Sequence, residues 1–184
     1  MGKTASNNSF ARKAKEKYFT IDPNAVKNLL PLIPPGSTFA EPCAGAGHLI
    51  DHLESGGLRC AWASDIEPER ADIDCADALG SIDLPNCDYI ITNPPWDPSR
   101  KLFWKVVEHC MKLRPTWVLH SHSTLSAATA APSLRHAINT VPTARLIWQP
   151  GTTQTSSQPT CWTLFDIHYD GALIYLPFPE SEAS

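Results

Sequence analysis

Short β-prone apolar runs alternating with amphipathic segments are the feature that most limits what this chain can fold into. The runs TFAEP (38–42), LRCAWASDI (58–66), DYIIT (88–92), TWVLHS (116–121), ARLIWQ (144–149) and CWTLFDIHY (161–169) read as buried strands. CAGAGHLIDHLESGG (43–57) opens on glycine and continues at helical spacing until Gly56 and Gly57, and SRKLFWKVVEHCMKL (99–113) is a longer helix. Further helices are predicted over DPNAVKNLLPLI (22–33), with Asp22 as cap and Pro23 in the first turn, and around LRHAIN (134–139) after the breaker Pro132. Strands that alternate with helices predict an α/β fold, a mostly parallel sheet covered on both faces. The last two runs have only the polar loop PGTTQTSSQPT (150–160) between them, so the sheet should end on an antiparallel strand.

A chain of 184 residues, 42% hydrophobic and 18% charged, can bury one ordinary core and predicts a single domain. Its expected organisation is a basic, flexible arm over residues 1–17, a folded domain over 18–180 and a tail over 181–184. The arm carries Lys3, Arg12, Lys13, Lys15 and Lys17 against Glu16 in a chain of net charge −4, so the remainder is distinctly acidic. Such an arm either touches phosphates or is simply solvated. No apolar run approaches the roughly 20 residues of a membrane span, and the N-terminus lacks a secretory signal, so a cytoplasmic protein is expected. The six cysteines form no C-x-x-C pair and the seven histidines are irregularly spaced, which predicts neither a disulfide framework nor a metal site.

In a sheet of this kind ligands bind beyond the carboxyl ends of the strands, so the residues after each strand are the candidate site. After the first come Glu41, Pro42, Cys43, Ala44, Gly45 and Gly47, a glycine-bearing turn into a helix that lets backbone approach a ligand closely. After the second stands Asp65, followed by Ile66. Asp65 lies 20 residues beyond Gly45, near the separation at which a turn and an acid grip one nucleotide-type ligand. Asp77 could reach an adenine amino group while the neighbouring backbone at Ala78 flanks the ring, although Asp72, Asp74 and Asp83 offer competing acids and all could simply be solvated. After the third strand come Asn93, Pro94, Pro95 and Trp96, an abrupt turn that leaves a large aromatic beside it. His120 and His122 follow the TWVL run, where surface or capping roles are expected. Of Phe103 and Trp104 at least one should pack in the core.

Together these positions resemble the S-adenosylmethionine-dependent amino-methyltransferases, particularly those acting on adenine N6 in nucleic acid. The resemblance spans roughly residues 18–176, and the Asn93-Pro94-Pro95-Trp96 tetrapeptide is its most specific part. YFTIDPNAV (18–26) also resembles the family's leading motif, which implies that Tyr18 and Thr20 close over the methionine end of the cofactor; the insertion of Ile21 and Asp22 before Pro23 departs from the commoner Thr-Pro. The resemblance implies a Rossmann-like class I methyltransferase fold with a mostly parallel seven-stranded sheet and a final antiparallel strand, S-adenosylmethionine as cofactor, and cofactor contacts from Tyr18, Thr20, Glu41 to Gly45, Gly47, Asp65, Ile66, Asp77, Ala78 and Asn93. It also suggests a small stand-alone enzyme of the kind found in phages and mobile elements.

An adenine amino group is a poor nucleophile because its lone pair is delocalised into the ring. The Asn93 side-chain oxygen and the Pro94 carbonyl can each accept one N–H and aim that lone pair at a methyl group, while Pro95 stiffens the turn. Trp96 offers a stacking face for an extruded base, worth ~1–3 kcal/mol, and Trp148 is a second candidate contact. After Trp96 only 88 residues remain, so no separate recognition domain is expected. Recognition would fall to the arm, the segment after Trp96, the 150–160 loop or a protein partner. DNA is favoured over RNA as substrate. The alternatives are methylation of a protein glutamine amide, where tyrosine is usual at the fourth place, and a catalytically silent cofactor-binding scaffold.

Overall fold

A computed structural model describes residues 18–80 and 83–177, so the basic arm and the tail lie outside the described residues. The elements in chain order are helix α1 (Asn24–Lys27), a 3-10 turn (Leu30–Leu32), strand β1 (Thr38–Glu41), helix α2 (His48–Ser55) and strands β2 (Arg59–Asp65), β3 (Asp74–Cys75) and β4 (Tyr89–Thr92). Then follow helix α3 (Lys101–Leu113), strand β5 (Thr116–Ser121), helix α4 (Ala131–Leu134) and strands β6 (Ala137–Pro142), β7 (Thr160–Phe165) and β8 (Ile174–Tyr175). They form one eight-stranded sheet in the order β3-β2-β1-β4-β5-β7-β6-β8. Every strand pair is parallel except those made by β7, which runs antiparallel to both β5 and β6. The expected seven strands become eight, and β3 and β8 are two-residue strands at the edges.

Alternation along the strands divides the core between the two faces of the sheet. Phe39, Ile91, Trp117, Leu119 and Trp162 face α1, α2 and the 3-10 turn, packing on Val26, Leu29, Leu49 and Leu53. Their neighbours Ala40, Ile90, Val118 and Cys161 face α3, packing on Phe103, Val106, Val107 and Cys110. β1 lies between β2 and β4, so the chain leaves it first to one side and later to the other. That reversal opens a crevice at the carboxyl ends of β1 and β4, where ligands bind in sheets of this type.

Three expectations are corrected. The helix expected around 134–139 is confined to Ala131–Leu134, with Pro132 accommodated in its first turn, and the residues from Ala137 onward are a strand. Isoleucine, threonine and valine in AINTVP fit a pleated surface, and pairing with β7 decides the matter. ARLIWQ is not a strand: Leu146 is fully buried in the core, and the Ile147 N–H donates to Asp22 Oδ2 at 2.9 Å instead of to a ladder. The antiparallel partners of β7 are therefore β5 and β6. The expected helix over 22–33 is broken into α1 and the 3-10 turn, in whose first turn Pro31 sits.

Because Leu146 anchors an otherwise irregular loop, Leu146→Ala should destabilise the fold by about 2–5 kcal/mol. Urea unfolding measures this, and a cost below about 1 kcal/mol would contradict the placement of Leu146 in the core.

Candidate active site

β1 ends on Glu41, whose side chain is completely buried. Its Oε1 accepts from the Thr92 hydroxyl at 2.6 Å and from the Cys43 N–H at 3.0 Å, while Oε2 has no partner. Burial pushes the carboxyl from its ordinary value of 4.5 up to about 8; the Thr92 hydroxyl and the Cys43 and Asn93 backbone N–H groups oppose that rise, and the nearby Asp65 charge adds to it. A single carboxyl thus joins the turn after β1 to the last residue of β4.

The turn after β1 depends on two left-handed glycines, Gly45 at φ 54° and Gly47 at φ 81°. A Cβ on Gly45 would stand 2.4 Å from the Phe19 ring, and one on Gly47 2.2 Å from the Arg70 guanidinium. Ala44 N–H donates to the Ser64 carbonyl at 2.9 Å, and Gly45 N–H to Asp65 Oδ2 at 2.8 Å, so the turn is tied to the end of β2. Asp65 Oδ1 accepts from Glu67 N–H at 2.8 Å. Pro42 is buried and Cys43 half-buried, whereas Ile66 directly after the acid is 69% exposed. Asp77 lies two residues beyond β3, which pairs with the end of β2, so it stands near Asp65. Its Oδ1 accepts from Leu79 N–H at 2.9 Å within its own turn, and Ala78 beside it is buried.

Asn93 follows β4 and is gripped by the leading segment. Its Nδ2 donates to the Tyr18 carbonyl at 3.1 Å and to Thr20 Oγ1 at 3.0 Å, while its Oδ1 is buried without a partner. A backbone carbonyl can only accept, so the amide nitrogen must face Tyr18 and the oxygen is left as the unpartnered acceptor. Pro94 is buried and Pro95 exposed. Trp96 is half-buried, meets Trp148 edge-on at 5.3 Å between ring centres, and Trp148 in turn meets the Tyr18 ring at 6.4 Å. Trp96 Nε1 is another buried polar atom without a partner.

Beyond Trp96 lies a cavity of about 140 Å³ between Trp96, Asp97, Arg100, Phe103, Ser121 and Thr124. The expectation for His120 is corrected here. It is buried, not on the surface: Nε2 meets Thr163 Oγ1 at 2.8 Å, Nδ1 meets the Ser121 carbonyl at 2.9 Å, and the ring lies edge-on to Phe103. Burial lowers its pKa to about 4, so it is neutral at physiological pH. His122 is exposed. Phe103 lines the cavity, and Trp104 packs edge-on between Phe103 and Phe165.

The site thus unites Tyr18, Thr20, the Glu41–Gly47 turn, Asn93, Trp96 and Trp148, with Asp65, Ile66, Asp77 and Ala78 along the adjoining strand ends. Sequence reasoning missed Thr92 and Arg100. Thr92 was recognisable only as a threonine ending a strand, and no local signal marks Arg100. Among the described residues no group of three or more histidine, cysteine or acidic side chains could hold a metal, and no helix is long and apolar enough to cross a membrane.

No family model and no curated protein matches the chain. Among solved structures, a candidate RNA methyltransferase from Pyrococcus horikoshii is similar with a TM-score of 0.60 at 14% identity, over 88% of this chain and 98% of that one. The modification subunit of a candidate type I restriction enzyme from Vibrio vulnificus YJ016 is similar with a TM-score of 0.58 at 15% identity, over 96% of this chain and 51% of that one. The chain therefore spans about half the length of that subunit. Magnesium protoporphyrin IX methyltransferase from Synechocystis PCC 6803, solved with bound S-adenosylmethionine, gives a TM-score of 0.51 at 13% identity over 90% and 87% of the two chains. The fold is the Rossmann-like fold of these methyltransferases.

Glu41 generates a pH dependence with a defined sign. Between about 4.5 and about 8 the folded protein retains a proton that the unfolded chain releases, so this group's contribution to stability falls as pH rises through that window. Glu41→Gln should therefore gain several degrees of melting temperature over the native protein between pH 5 and pH 8.5, at roughly 2–4 °C per kcal/mol. Thermal unfolding across that range without added ligand checks it. A constant difference would show that Glu41 ionises normally.

Proposed function

We propose that this chain transfers a methyl group from S-adenosylmethionine to the exocyclic amino group (N6) of adenine in nucleic acid, with DNA favoured over RNA. The observation that carries this reading is the orientation of Asn93. Both amide protons are taken by Tyr18 and Thr20, so the one free polar atom is a buried acceptor suited to an N–H donor. Similarity to a restriction-modification subunit and to other methyltransferases supports methyl transfer in general.

The residues present fit the cofactor. Two left-handed glycines form the turn after β1, an acid ends β2 with an exposed isoleucine after it, and Glu41 Oε2 is a buried acceptor without a partner. The Gly45–Gly47 turn would hold the methionine portion, Asp65 the ribose hydroxyls, and Ile66, Asp77 and Ala78 the adenine. Asp65 already accepts two N–H bonds, yet each carboxylate oxygen keeps a further lone pair for a hydroxyl donor. Glu41 beneath the turn holds its proton in the free protein, and a cationic ligand above it would favour the ionised form. When bound, S-adenosylmethionine supplies a methyl group on a positively charged sulfur.

The chain's own part in the reaction is positioning. Asn93 Oδ1 and the Pro94 carbonyl each accept one N–H of the substrate amino group, which turns its lone pair out of conjugation and towards the crevice. Pro95 has no N–H and holds the turn rigid. Trp96 supports the ring that carries the amino group, and Trp148 fixes Trp96 from its edge. Thr20, expected to touch cofactor, here acts through Asn93 as a positioning residue.

Incubation with methyl-labelled cofactor and separate DNA, RNA and protein pools, followed by digestion, tests the reading. Label should appear as N6-methyladenine, chiefly in DNA. Label in glutamine side chains would establish the amide alternative, and cofactor binding without transfer to any pool would establish the silent scaffold.

Two substitutions separate the roles. Asn93→Ala should abolish turnover and leave cofactor affinity within about threefold. Thr20→Val should lower kcat by about 10–100-fold with little change in KM, because a misplaced acceptor impairs attack geometry more than binding. Thr20→Ser should restore most of the rate. A wild-type kcat in Thr20→Val, measured by single-turnover kinetics, would remove Thr20 from this role.

A further inference from the structure

The cavity beyond Trp96 is bordered by one basic side chain, Arg100. Arg100 is also the only non-glycine among the described residues with positive φ, at 56°. A left-handed arginine stores strain that a glycine would relieve, and such strain persists where the surroundings or a function require the side chain. Arg100 Nη2 donates to Ser123 Oγ at 3.3 Å. Ser121 Oγ lies 3.1 Å from Ser123 Oγ and 3.0 Å from Thr124 Oγ1, so a guanidinium and three hydroxyls form one cluster, of which Arg100, Ser121 and Thr124 line the cavity.

Among the described residues no carboxylate forms an ion pair with Arg100. The ion pairs among the described residues are those of Arg70 with Asp51 and Asp72. Asp97, the one acid lining the cavity, spends its oxygens on the start of α3. Oδ2 accepts from the Ser99 hydroxyl and from Lys101 N–H at 3.2 Å, and Oδ1 accepts from Phe103 N–H at 3.2 Å. Partial burial opposes its ionisation, but those bonds hold the carboxyl below its ordinary value. Asp97 therefore occupies the helix N-terminus and leaves Arg100 as the available cation. Its guanidinium has five N–H donors and spends one on Ser123. The remaining donors and the hydroxyls match the acceptor-only surface of a phosphate.

We infer that Arg100, with Ser121, Ser123 and Thr124, forms a subsite for the backbone phosphate next to the base presented to Asn93. The inference rests on the nucleic-acid reading above. It assigns to the segment after Trp96 a contact that fixes the register of the strand and reads no base edge. A phosphodiester of DNA and one of RNA present the same group here, so the subsite itself does not choose between them.

Binding of fluorescent adenine-containing single-stranded deoxy- and ribo-oligonucleotides to the full chain, between 50 and 300 mM salt, tests this. The comparison is among the native protein, Arg100→Lys and Arg100→Gly. Arg100→Gly should keep or raise the melting temperature, because glycine is unstrained at this φ. It should also weaken binding about 5–20-fold at 0.1 M salt and reduce the slope of log K against log salt by about 0.7, the loss of one phosphate contact on a single strand. Arg100→Lys should keep the slope. Equal losses for the two oligonucleotides are expected from a shared phosphate contact. An unchanged affinity in Arg100→Gly, or a lower affinity with an unchanged slope, would overturn the phosphate subsite. If the native protein bound neither oligonucleotide at any salt, the nucleic-acid reading would fall first, before any substitution at Arg100 was made.

Discussion

The hydrogen bonds of one buried carboxyl organise this molecule's crevice. Glu41 accepts from Thr92 and from Cys43, and so clamps β4 and the glycine turn to the end of β1 at the point where the strand order reverses. Burying a carboxyl without satisfying both oxygens is costly, which is why its pKa rises to about 8. The unsatisfied Oε2 places a latent negative charge beneath the turn. A cation arriving there would favour ionisation, so a strained feature of the free protein becomes an attraction for a positively charged ligand.

The second constraint is that the leading segment is stitched to the far end of the chain. Asp22 accepts from Ile147 N–H, Asn28 donates to the Pro142 carbonyl at 2.8 Å, and Trp162 Nε1 donates to the Ala25 carbonyl at 2.7 Å. These bonds hold Tyr18 and Thr20 over Asn93 and bring Trp148 against Trp96. The orientation of one amide thus depends on contacts that span most of the sequence. Asp22 serves both ends of this arrangement, since its other oxygen accepts from Asn24 N–H in the first turn of α1.

Much of the sheet is legible in the sequence because its strands carry local alternation. TFAE, DYIIT and TWVLHS are strands where their apolar patterns place them, and Gly45 and Gly47 mark a turn only glycine makes comfortably. What was not legible is set by distant partners. Residues 137–142 become a strand by pairing with β7, and ARLIWQ loses its strand because Asp22 claims the N–H of Ile147. Two-residue strands such as β3 and β8 carry too few residues for any pattern. The same holds at the site. Asn93 and Trp96 stand out as a motif, whereas the hold of Thr20 on Asn93 acts across 73 positions and the left-handed backbone of Arg100 has no sequence signature. His120 read as a residue at a strand end, yet the antiparallel pairing with β7 covers it.

If Glu41 and Thr92 couple the cofactor turn to the catalytic turn, a change at their bond must be felt in both. Thr92→Val removes the hydroxyl and nearly preserves volume, so it isolates that hydrogen bond. Cofactor affinity by calorimetry and kcat by single-turnover kinetics should deteriorate together in Thr92→Val, each by about 5–30-fold, the equivalent of roughly 1–2 kcal/mol. A variant that lost rate but bound cofactor with native affinity, or that lost neither, would contradict the account.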